Sequence, residues 1–277
     1  MSQSHDNVIV LRPAGGLLDL DLVAVWRYRE LLYVLVLRDL QVRYKQAALG
    51  VAWAVLQPTL AVLIFAIVFG HFANLPSDGL PYPAFAFAAV LPWTYFSEAV
   101  RRSATGLVSD SELIRKVYFP RLIIPVAAAL APLVEFSCTL PMVLALLAWY
   151  GVSLSWHMLL LPFFVLIAFL AALAMGLWLG PMNVRFRDVG HTLPFVLQVW
   201  MYASPVVYPL SIVPERWQLL YSLNPMVGVI EGFRWSLLSS DSASIWAIGP
   251  GIATALVLFA AGLLFFRRME RFFADVI

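Results

Sequence analysis

The sequence predicts an all-α membrane protein with six transmembrane helices, an amphipathic helix at the membrane interface ahead of them, and short helices between the spans. Three observations carry this. Hydrophobic residues make up 62% of the chain and charged residues 12%, against about 25% charged in soluble domains, and the mean hydropathy is +0.86. Uncharged runs recur along the chain, and about 20 such residues suffice to cross roughly 30 Å of hydrocarbon. Lys and Arg, finally, fall almost wholly in alternate connecting segments. A chain of 277 residues is long enough for two soluble domains, but the recurrence of spans makes it one membrane domain. Residues 1–21 form a cytoplasmic tail, 22–45 the interface helix, 51–266 the six-span core and 267–277 a second cytoplasmic tail.

The spans are expected near residues 51–73, 82–104, 122–150, 159–183, 192–208 and 245–266. The connections 74–81 and 151–156 contain no Lys or Arg and read as external. Every Lys and Arg except Arg216 and Arg234 falls on the opposite side, so the positive-inside rule places both termini in the cytoplasm, as an even number of spans requires. Residues 1–16 are polar, with His5, Asp6 and Asn7, and no basic stretch leads into a short apolar core. No cleaved signal peptide is expected.

Residues 22–45 contain no uncharged run long enough to span. On a helical wheel Trp26, Tyr33, Leu37, Leu40 and Tyr44 share one face, while Arg27, Glu30, Arg38, Gln41 and Lys45 lie roughly opposite. Such a helix lies along the inner membrane surface with its aromatics among the headgroups. A stripe carrying both signs of charge also suits contact with a partner protein.

After the second span, Ser109 and Glu112 have capping-box spacing, Asp110 and Glu112 favour the positive end of a helix, Arg115 and Lys116 favour its other end, and Pro120 stops it. A short helix over 109–118 follows, with Leu113, Ile114, Val117 and Tyr118 available to fill a groove. Between the fifth and sixth spans, Pro205 and Pro209 end a helix. Two short helices are expected over 214–222 and 225–238, each opening on Pro, the second capped by Asn224, with Glu231 and Arg234 spaced for an ion pair. Too short and polar to span, yet rich in apolar residues including Trp217 and Tyr221, they read as dipping into the external leaflet.

Several chemistries are excluded. The only lysines are Lys45 and Lys116, following Tyr44 and Arg115, so no phosphate-binding loop of the Gly-x-x-x-x-Gly-Lys type exists and this chain does not hydrolyse ATP. External acids are scattered at Asp78, Glu215, Glu231 and Asp241, and the four histidines stand apart; no catalytic cluster or metal site is expected. Cys138 is the single cysteine, which leaves no internal disulfide. Nucleic-acid binding has no support. Glu98 and Glu135 are the acids within spans; Glu98 stands one turn from Arg101 and Arg102, and Glu135 is expected to pair inside the bundle, with Gln57 as a candidate.

The runs Arg43-Tyr44-Lys45-Gln46, Leu49-Gly50-Val51-Ala52-Trp53, Gln57-Pro58, Leu91-Pro92-Trp93, Lys116-Val117-Tyr118-Phe119-Pro120-Arg121, Asn183-Val184-Arg185-Phe186-Arg187-Asp188-Val189, Ser204-Pro205-Val206-Val207-Tyr208, Asn224-Pro225-Met226 and Glu231-Gly232-Phe233-Arg234 resemble the permease subunit of polysaccharide ABC exporters. This is the type-2 group that carries O antigens, capsules and teichoic acids. The resemblance covers nearly the whole chain in order. It implies a homodimer in a bacterial inner membrane that binds two copies of a separate ATPase subunit, where ATP and Mg are held, and an undecaprenyl-linked or other lipid-anchored glycan as substrate. It also implies that Ser109–Tyr118 is a coupling helix docking on the ATPase through Ser109, Asp110, Glu112, Leu113, Ile114, Lys116, Val117 and Tyr118. Arg185, Arg187 and Asp188 become a second cytoplasmic contact, and Trp217, Tyr221, Asn224, Glu231 and Arg234 belong to external gate helices.

A route for sugars needs aromatic faces on which C–H surfaces pack. Trp53, Trp93, Tyr95, Phe96, Trp200, Tyr202 and Tyr208 are candidates, against the ordinary aromatic belt of a membrane protein. Two other classes stay open: a type-2 exporter of a small lipid or drug, with a different lining, and a polytopic glycosyl or acyl transferase, for which turnover without an ATPase partner is the discriminating observation.

Overall fold

The computed structural model describes residues 22–45, 49–50, 52–152, 155–238 and 245–276; the expected tail 1–21 lies outside them. Every regular element among the described residues is helical. Two short pieces, α1 (Leu22–Arg27) and α2 (Arg29–Tyr44), are separated by a kink at Tyr28. Helix α3 (Ala52–Phe65) continues as a π-helical stretch, Ala66–Phe72. Then follow α4 (Tyr82–Ser109), α5 (Ser111–Lys116), α6 (Ile123–Trp149), and α7 (Leu161–Arg185), the last entered through a 3-10 turn at Trp156–Leu160. The chain ends with α8 (Asp188–Tyr202), α9 (Glu215–Ser222), α10 (Pro225–Leu238) and α11 (Ile245–Val276).

Each of the six expected spans coincides with a helical stretch, and among the described residues four such stretches are long and apolar enough to cross a membrane by length and composition: Ala52–Phe72, Ile123–Trp149, Trp156–Arg185 and Trp246–Glu270. Helix α4 has the length, with 28 residues, but carries Glu98, Arg101 and Arg102 in its inner part. Helix α8 has 15 residues, or about 22 Å at 1.5 Å per residue, short of the roughly 30 Å core. It stops at Tyr202 rather than reaching Tyr208, because Ser204, Pro205 and Pro209 turn the chain. The residues expected as a tail from 267 are helical, α11 running unbroken to Val276.

Helix α4 is the centre of the bundle. It packs against α3, α6, α7, α8 and α10, and Phe85, Phe87, Phe96, Val100 and Leu107 are wholly buried along it. In a bilayer, lipid tails are as apolar as leucine, so close packing through small residues must hold helices together. The α4–α7 contact shows this: a Cβ on Gly176 would fall 2.3 Å from the Ser103 side chain. Between α10 and α11 the backbones touch, and a Cβ on Gly228 would lie 2.7 Å from the Ile248 carbonyl oxygen. Helix α3, by contrast, leaves Leu60, Leu63, Ile64, Ile67 and Val68 exposed, and α8 leaves Phe195, Val196 and Val199 exposed.

The candidate coupling and gate sites

One end of the bundle is organised by ion pairs that join helices distant in sequence. Arg38 of α2 grips both Asp110 carboxylate oxygens, at 2.8 and 2.9 Å, while also donating to Asp39. The hydrogen bond to Asp110 raises the Arg38 guanidinium above the usual arginine range. Deeper in, Glu98 accepts from Arg101 at 2.7 and 2.9 Å, from Arg102 at 2.8 Å, and from Arg43 of α2. Arg102 reaches on to Glu135 of α6 at 2.6 Å, and Arg43 lies 3.6 Å from the same carboxylate. Glu135 is therefore paired with two arginines and not with Gln57. Each of the two carboxylates faces more than one guanidinium.

Asp110 is at the N-cap position of α5 but its side chain makes no capping bond, being held by Arg38. Ser109 makes no capping box either: its hydroxyl donates to the Gly106 carbonyl at 3.1 Å, closing the last turn of α4. The helix is thus six residues long rather than spanning 109–118. Glu112 instead pairs on the surface with Lys116 at 3.0 Å. Leu113 and Ile114 are half-buried against the chain's own core. Val117 and Tyr118, 49% and 71% exposed, follow the helix in extended backbone.

The interface helix is also differently oriented from the wheel. Its contact face centres on buried Leu35, with Tyr28, Leu31, Leu32 and Val36 packed beside it; Arg38, expected on the outer stripe, points inward. Trp26 and Tyr33 are exposed, as are Arg27, Glu30 and Lys45. The wheel put Arg38 on a charged face with Arg27, Glu30, Gln41 and Lys45, whereas in the bundle Arg38 and Arg43 pair with Asp110 and Glu98.

At the α7–α8 junction Phe186 is extended, and Arg185, Arg187 and Asp188 are exposed. What positions them is Asn183, which is buried, donates to the Ala104 carbonyl at 3.1 Å and accepts from the Gly190 amide at 2.9 Å. Asn183 was not singled out by sequence reasoning; a lone amide at the end of an apolar helix was the available signal.

At the other end of the bundle Asn224 does cap α10: its Oδ1 accepts from the Met226 amide at 3.0 Å. The same oxygen accepts from Trp200 Nε1 at 3.0 Å, and its Nδ2 donates to the Ala203 carbonyl and the Ser204 hydroxyl. One side chain thus joins the end of α8 to the start of α10. The Glu231–Arg234 pair forms at 2.9 Å with both residues buried. Arg234 also donates to the Val206 carbonyl and stacks 3.7 Å above the Phe85 ring. The Tyr208 hydroxyl donates to the Tyr202 carbonyl at 2.8 Å and so accepts from Tyr221 at 2.9 Å. The two short helices are not alike: α10 is buried along almost its whole length, and α9 is exposed at Trp217, Leu219 and Leu220. Pro214 precedes α9 as its N-cap instead of opening it.

Three of the aromatic lining candidates serve helix packing. Trp93, Tyr95 and Phe96 are buried within the chain, where Tyr95 donates to the Ala129 carbonyl and Phe96 meets Trp200 edge to face at 5.2 Å. They pack helix against helix because α4 is central. Trp53 and Tyr202 are exposed, whereas Trp200 and Tyr208 are half-buried.

The chain is thus a helical bundle with ion-paired elements at one end, a buried short helix at the other and several helices apolar enough to cross a membrane. The ABC-2 type transporter family matches residues 30–238, and the chain belongs to that family. It is 33% identical over 255 residues to the O-antigen export system permease protein RfbA of Myxococcus xanthus, covering 90% of this chain and 96% of that one. It is 26% identical over 250 residues to RfbA of Klebsiella pneumoniae, covering 90% and 95%. It is 24% identical over 240 residues to the polysialic acid transport protein KpsM of Escherichia coli, covering 85% and 92%.

Proposed function

We propose that this chain is the membrane-spanning subunit of an ATP-driven exporter that carries a lipid-linked polysaccharide, O antigen foremost, across the bacterial inner membrane. The observation that carries this reading is similarity along 96% of the length of an O-antigen export permease at 33% identity. The similarity to a polysialic acid transport protein supports a capsular polymer as the second substrate. Two copies of the chain pair, each with six spans and cytoplasmic termini, and two copies of a separate ABC ATPase subunit bind beneath them and hold ATP and Mg.

Force from the ATPase arrives on α5 with Val117 and Tyr118, and on Arg185, Arg187 and Asp188. Arg38–Asp110 passes it to α2, and the Glu98–Arg102–Glu135 cluster passes it to α6. Asn183 ties the second contact to Ala104, so both contacts act on α4 together. At the outer end, Asn224 and Arg234 tie α10 to the end of α8, and the gate opens as those elements part. Trp53 and Tyr202 offer exposed rings to the sugar. Depletion of this permease in its own cell tests the reading: lipid-linked glycan should accumulate on the cytoplasmic side while synthesis continues. Surface polymer that persists unchanged, with no internal accumulation, overturns it.

A further inference from the structure

Beside the charge cluster, α2 and α6 enclose a space of a different character. It is a groove of about 390 Å³ walled by Leu32 and Val36 of α2 and by Leu130, Leu133 and Val134 of α6, with Arg29 among its lining residues. No acid lines it. Arg38, Arg43, Arg101 and Arg102 are each engaged by carboxylates, whereas for Arg29 the contact shown is the Trp26 ring at 5.9 Å. Among the described residues no carboxylate pairs with it.

An apolar trough is a poor place for water, which needs two to four polar partners. Helix α6 is long and apolar enough to cross a membrane, so its outer flank meets acyl chains. An apolar channel with one uncompensated guanidinium matches a molecule with a hydrocarbon tail and a negative head. We propose that this groove holds an acyl chain of an anionic phospholipid of the inner leaflet, its phosphate on Arg29, and that the lipid cements α2 to the bundle. The proposal rests on the reading of α2 as a helix at the inner membrane surface.

The test places a benzophenone amino acid at Tyr33 or, separately, at Val134; both positions line the groove and are exposed, so folding is preserved. The full transporter is irradiated in nanodiscs of phosphatidylglycerol mixed with phosphatidylethanolamine, and intact masses are read. The expected result is a phosphatidylglycerol adduct in excess of its share of the bilayer, with the excess lost in Arg29→Glu. Adducts in proportion to bilayer composition, an excess unchanged by Arg29→Glu, or cross-links to a second copy or to residues 1–21 each overturn the proposal. A nitroxide on Trp26→Cys in a Cys138→Ser background separately reports where α2 lies: collisions with both oxygen and a water-soluble nickel chelate place it at the headgroups. Collisions with the chelate alone remove the membrane-surface reading itself, whatever the adducts show.

Discussion

Arg38 and Asp110, 72 residues apart in sequence, meet in a two-pronged ion pair that joins α2 to the start of the short helix α5. A guanidinium fork fixes direction as well as distance, so the pair orients α2 against the start of α5. The two side chains are 41% and 15% exposed, and partly screened pairs of this kind contribute only about 0–1 kcal/mol to stability. Arg38→Gln should therefore leave the fold intact and weaken transmission: ATP hydrolysis by the assembled transporter continues while glycan exported per ATP falls. The exchange Arg38→Asp with Asp110→Arg should recover much of the loss, measured by transport and ATPase assays on the same preparation.

Val117 and Tyr118 are exposed where Leu113 and Ile114 are not, which separates docking from folding. Tyr118→Asp should leave the melting temperature nearly unchanged and weaken binding of the ATPase subunit about tenfold or more, the loss of one good contact residue. Leu113→Asp should instead destabilise the permease by itself, because it puts a charge against the core. Pull-down with the ATPase and thermal unfolding in detergent distinguish the two.

Asn224 uses its oxygen twice and its amide nitrogen twice. Asn224→Ala removes a helix cap, typically about 1 kcal/mol, and leaves the Trp200 indole N–H without this partner, at roughly 1–3 kcal/mol for an unsatisfied group, while the Ser204 hydroxyl keeps its bond to the Trp200 carbonyl. A loss of about 2–4 kcal/mol is expected from these two effects. Asn224→Asp should keep the cap and the Trp200 bond but lose the two donated by the amide, giving a smaller drop in thermal stability.

Glu231 and Arg234 form an ion pair with both side chains almost fully buried. Breaking such a pair on one side costs about 3–5 kcal/mol, while replacing both partners by apolar residues of similar volume is often neutral. Arg234→Met alone should abolish stable expression, and Glu231→Leu with Arg234→Met should restore it. Export by the double variant then shows whether the Arg234 bond to the Val206 carbonyl matters beyond stability.

Gly228 sits where α10 and α11 meet backbone to backbone. Gly228→Ala pushes a methyl to 2.7 Å from a carbonyl oxygen, and no side chain can move aside to admit it. The variant should insert into the membrane yet show a lowered melting temperature and an α10 open to proteolysis.

How much of this was legible in the sequence follows from the range of the forces involved. Local signals were read well where the interaction is local: the Asn224 cap and the i,i+3 spacing of Glu231 and Arg234 both appear as expected. They misled where a distant residue competed. Ser109 and Glu112 have the spacing of a capping box, but Arg38 takes Asp110 and the helix begins later. Glu135 has no cation near it in sequence, and its partners Arg102 and Arg43 come from α4 and α2. The rings of Trp93, Tyr95 and Phe96 suited a lining as well as a core, and only the central position of α4 decided for the core.

By itself the sequence determined that this is a helical membrane protein, which side its basic segments favour, and that it holds no nucleotide loop, because hydropathy, charge placement and motif are properties of contiguous residues. The tertiary structure decided which charges meet, which aromatics are hidden and which two helices share a backbone contact. Those outcomes depend on helices that approach through glycine and serine, and the pairing of such surfaces leaves no trace in the spacing of either one alone.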